Sequence, residues 1–125
     1  MHRKTFLTIV AGLGFAIGLL ALCLPAVLLA GKGVPPEPAA SVWVREVGVL
    51  ILALSAILLL VRGQPDTPTM RAVLWGNAIV HGGLLPIEIV AWQDGVITRL
   101  SGILPNSVLH VTLCVGFVLF ARRAR

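Results

Sequence analysis

The chain has 125 residues, of which 58% are hydrophobic and only 12% charged, with a formal net charge of +5. Soluble domains carry about a quarter of their residues as charges, so this composition points to lipid as the main solvent. The ten basic residues lie in loops and at the ends of apolar runs rather than on one surface, which argues against nucleic-acid binding and makes their charge a matter of membrane topology.

His2, Arg3 and Lys4 precede an apolar run over residues 5–30. Its length of about 26 residues exceeds the 7–15 of a signal-peptide core, so it is expected to be a retained first membrane span. Gly14 and Gly18 form a GxxxG in this run. Such spacing lets helices approach closely, and packing within the chain is the favoured use over dimerisation. Pro25 is expected to kink the last turns. Residues 31–42 hold Pro35, Pro36 and Pro38 and read as an extended loop, with a helix start at Ser41.

A second span is expected over residues 43–62. Trp43 suits the interfacial aromatic belt, with Arg45 and Glu46 near that end and Arg62 closing the other. Residues 63–69 (GQPDTPT) are turn material. The third span, residues 71–92, is long enough to cross a bilayer yet contains Asn77, His81 and Glu88 along one face. Gly82, Gly83 and Pro86 predict a kink in its middle. Asp94-Gly95 marks a turn, and residues 96–100 are apolar enough for a short interfacial helix. A fourth span is expected over residues 104–121, with Pro105 in its first turn, before Arg122, Arg123 and Arg125. Four spans place both termini on one side. Seven Lys and Arg flank that side against three on the other, so both termini are expected in the cytoplasm.

Ionisable groups at membrane depth face protein or water-filled cavities, so the polar residues are expected to meet. Helix rise puts His81 roughly 15 Å in from Arg71, and His110 roughly 18 Å in from Arg122. Arg45, Glu88 and Asn106 fall near a second level, roughly 24–26 Å in. The outer group reads as a structural lock between helices, with Glu88 as a proton or ligand carrier as the competing account. The two imidazoles admit a packing role through hydrogen bonds, a proton relay or ligand pocket with Asn77, or, as a further alternative, haem ligation. Beyond that alternative no cofactor is expected, and no metal site. Cys23 and Cys114 show no ligand spacing and read as small apolar core residues. There is no phosphate-binding glycine loop, no HExxH and no nucleophile elbow, so an enzyme is not expected.

The Pro-rich loop after the first span, the Arg45-Glu46-Val47-Gly48 run, the Asp/Arg loop before the third span and Asp94-Gly95 after it resemble the DoxX-like group of small bacterial four-helix membrane proteins. The resemblance covers most of residues 20–121. It implies an all-α bundle of four transmembrane helices in the bacterial cytoplasmic membrane. It also implies an accessory, non-enzymatic role beside a larger membrane complex, with homo-oligomerisation open. A membrane pocket built on His81, Glu88 and His110, taking a small ligand, proton or haem, is the alternative. Small multidrug-resistance transporters also have four short spans, but they carry an essential acid in the first, where this chain has none.

Overall fold

A computed structural model describes residues 2–124; Arg125, counted above among the basic residues of one side, lies outside them. Among the described residues the chain is all-helical. It contains α1 (Arg3–Cys23), α2 (Pro25–Lys32), α3 (Pro38–Val61), α4 (Pro68–Gln93) and α5 (Leu100–Arg123). Four of these, α1, α3, α4 and α5, are long and apolar enough to cross a membrane. They fall into two compact units, residues 1–63 and 64–125.

The first unit is a helical hairpin of α1 and α3, with α2 in the connection. Leu7, Ala11, Gly18 and Ala21 are buried on α1 and recur at three, four or seven residues, as one helix face requires. On α3 the matching face carries Gly48, Ser55 and Leu58. Glycines allow the two backbones to touch. A Cβ on Gly18 would lie 3.1 Å from the Gly48 carbonyl oxygen, and one on Gly14 would run into the Ser55 hydroxyl. Gly14 and Gly18 are therefore used within the chain. Cys23 falls off this face and is exposed, contrary to the core position expected of it.

Pro25 does more than kink the first span. It has no amide hydrogen for the Ala21 carbonyl and its ring crowds the preceding turn, so α1 ends at Cys23. The chain restarts as α2 with Pro25 in the first turn, where a missing donor costs nothing. The first span is thus 21 residues rather than the expected 26. Gly33 then ends α2 at φ 72°, with Gly33 N donating to Ala30 O and Val34 N to Leu29 O. This pair of bonds is a Schellman closure. The extended loop is shorter than expected, because α3 begins at Pro38 and not at Ser41. Pro38 takes the first helical position, and the Ser41 amide already bonds back to the Glu37 carbonyl.

The second unit is an antiparallel hairpin of α4 and α5. Thr67 caps α4: its side chain accepts from Met70 N at 3.1 Å, and Pro68 fills the first position, so the helix starts three residues before Arg71. Replacing Thr67 with alanine should cost about 1 kcal/mol, read as a lower unfolding midpoint in an SDS titration of the micellar protein. α4 runs on through Gly82, Gly83 and Pro86. It closes with a second Schellman pair, Gly95 N to Trp92 O and Val96 N to Ala91 O, with Gly95 at φ 71°. A Cβ at Gly95 has free space but the wrong backbone region, so Gly95→Ala should cost about 1–2 kcal/mol in the same titration.

Residues 96–99 form no interfacial helix. Val96 and Ile97 instead spend their amides on the Ala91 carbonyl, and Ile97 is buried. The α5 helix starts at Leu100, which moves Pro105 from an expected first turn into the helix interior. There it leaves the Ser101 carbonyl without an intrahelical amide.

Candidate functional site

Along α4 the buried or half-buried residues Met70, Leu74, Asn77, Ala78, His81 and Glu88 form one face. On α5 the corresponding face runs Ile103, Asn106, His110, Leu113, Cys114 and Phe117. Both follow the three-four spacing of a helix seam. Running antiparallel, the two faces pair residues whose numbers rise on α4 as they fall on α5. Three polar contacts result. Each joins the two helices within the same unit.

At one end of the seam, Glu88 is only 7% exposed. Asn106 Nδ2 donates to its Oε1 at 2.6 Å, and Ser107 Oγ to its Oε2 at 3.3 Å. Both carboxyl oxygens thus accept from the facing helix. Burial of a carboxyl group is costly unless such donors are present. The expected Glu88–Asn106 contact is formed, and Ser107, missed in the sequence, completes it. Ser107 was findable: as the neighbour of Asn106 it shares the same turn. Arg45, expected at this level, is an exposed residue of α3 in the first unit, as is Glu46.

In the middle, His81 Nδ1 and His110 Nδ1 are 2.9 Å apart. The ring centroids are 5.1 Å apart with planes tilted by 36°. On its other side His81 stacks on Phe117, centroid to centroid 5.6 Å and 12° from parallel. Phe117 is fully buried and lies seven residues beyond His110, so helix periodicity alone places it on the same face. The depth matching of the two histidines is therefore realised as direct contact. Nitrogens ligating one iron from opposite faces stand about 4 Å apart, at about 2 Å per bond, with the macrocycle between them. As they stand, the two rings bond each other.

One turn further, Cys114 Sγ donates to the Ala78 carbonyl at 3.4 Å. Gly82 makes room for it, since a Cβ there would lie 3.3 Å from the sulfur. Asn77 is buried but turns back on its own helix, with Nδ2 donating to Val73 O at 2.9 Å. It is thus engaged with its own helix rather than across the seam to the histidines. Among the described residues, no group of three or more His, Cys, Asp and Glu side chains gathers in a metal-binding arrangement.

Chemically, the seam is a set of donors and acceptors that satisfy one another between two apolar helices. Comparison with known proteins adds no assignment: no family model, no curated protein and no solved structure matches this chain.

Proposed function

We propose that this chain is a small DoxX-like integral subunit of the bacterial cytoplasmic membrane, with both termini in the cytoplasm, serving a larger membrane complex without an enzymatic role of its own. The observation that carries this reading is the closure of the α4–α5 seam. Glu88 bonds Asn106 and Ser107, His81 bonds His110, and Cys114 bonds a carbonyl of α4. Polar side chains committed to each other in this way fix the rotation and register of two helices that lipid alone would leave free to slide.

A second feature supports a partner. Only 17–33% of the residues in the most apolar windows of the four long helices are buried, and large side chains such as Leu60, Ile79 and Val108 stand open. Lipid covers such faces, and so does another helical hairpin, whether of this chain or of a neighbouring membrane subunit. The cytoplasmic placement of the termini rests on the seven-to-three distribution of Lys and Arg.

The test is native gel analysis and crosslinking of the tagged chain after mild solubilisation of its own membrane. Migration within a larger assembly of defined composition is expected. Migration as the isolated chain at every detergent level contradicts the accessory role.

A further inference from the structure

The contact between His81 and His110 sets a proton count. A hydrogen bond between two Nδ1 atoms, here 2.9 Å apart, holds a single hydrogen. In the neutral pair one ring must therefore be the Nδ1–H tautomer and donate. The other accepts at Nδ1 and keeps its own hydrogen on Nε2. One further proton, added at Nε2 of the donating ring, turns that ring into an imidazolium. The bond survives this step and becomes charge-assisted, hence stronger. A second added proton would place hydrogens on both facing nitrogens, and the bond would break.

One feature of the surroundings favours a charge on this pair, against the cost of burying it between two apolar helices. The Phe117 ring is stacked on His81 with centroids 5.6 Å apart, so an imidazolium there would lie over an aromatic face. On α5 the neighbouring titratable side chain of this face is Cys114, whose thiol points to the Ala78 carbonyl. On α4 the next is Glu88, two turns or roughly 10 Å along the helix. Arg71 and Arg122, the cations toward the other end of the hairpin, are roughly 15 and 18 Å away along their helices.

We propose that His81 and His110 together form a binding site for one proton inside the α4–α5 hairpin, taken up and released by the pair as a unit. The proposal goes beyond the packing role above. A pair that only staples two helices needs no change of protonation, whereas this pair exchanges one proton while staying bonded.

The experiment is nitrogen NMR of 15N-histidine protein in lipid nanodiscs, titrated from about pH 8 to about pH 4, with exposed His2 assigned separately. At high pH the two rings are expected in opposite tautomers. One proton per chain should then be taken up with the Nδ1–Nδ1 coupling retained. A companion variant, His81→Gln with His110→Gln, keeps an amide-to-amide bond across the seam and should lose that proton while the hairpin stays folded. Identical tautomers at high pH, uptake of no proton, or uptake of two protons in one step would each overturn the proposal. Should the double variant fail to fold, the wild-type titration decides alone. A wild-type chain that takes up no proton yet remains in its larger assembly would remove this site and leave the accessory role intact.

Discussion

Replacing Gly48 with leucine should separate α1 from α3 and cost about 3 kcal/mol, the upper part of the usual range for overpacking. A Cβ at this position would lie 2.9 Å from both the Gly18 carbonyl oxygen and the Leu22 amide nitrogen. Those are backbone atoms, which cannot turn aside as the end of a side chain can, so the helices themselves must move. Gly12 supplies the control. It is in the same hairpin, but a Cβ there meets nothing within 4 Å, and Gly12→Ala should leave the unfolding midpoint unchanged or raise it slightly. An SDS-titration series of the two variants in mixed micelles checks both directions at once. Equal effects would mean that close backbone approach does not hold this hairpin.

Glu88→Leu should lower the stability of the second hairpin by about 1–3 kcal/mol, because it strips the acceptors from Asn106 Nδ2 and Ser107 Oγ at a buried position. Glu88→Gln keeps an acceptor for Asn106 and turns its amide toward the Ser107 hydroxyl, which accepts as well as donates. Its cost should be well under half that of the leucine variant. A double-mutant cycle of Glu88 and Asn106 isolates the pair, with a coupling of about 0.6–1.7 kcal/mol expected for a hydrogen bond between membrane helices. Zero coupling would reduce the contact to coincidence of depth.

Much of this is legible in the amino-acid sequence. The four spans follow from apolar runs long enough to cross a bilayer, and the spacing of four and seven residues between Asn77, His81 and Glu88 assigns them one face. Rise per residue was enough to bring His81 level with His110 and Glu88 level with Asn106. Arithmetic along a helix axis says nothing, however, about rotation around it. That is why Asn77, on the same face, bonds Val73 of its own helix. The boundaries were shifted chiefly by proline. Pro25, Pro38 and Pro68 each take a helix's first turn, so every one starts a helix where a breaker would suggest a loop. Pro105 goes the other way and is tolerated inside α5, since the start at Leu100 depends on where residues 96–99 place their amides. Gly48 offered no signal alone. Its role depends on Gly18 facing it.

The polar seam of α4 and α5 holds two helices together by bonds among its own side chains. The most direct test of that role is the absorption spectrum of the purified protein, oxidised and then reduced, paired with mass spectrometry of whatever organic molecule remains bound. No haem band and no ligand in stoichiometric amount are expected. A sharp reduced-state band, or a stoichiometric bound molecule, lost in His81→Ala and His110→Ala while the helices stay folded, would contradict that role and make the seam a binding pocket.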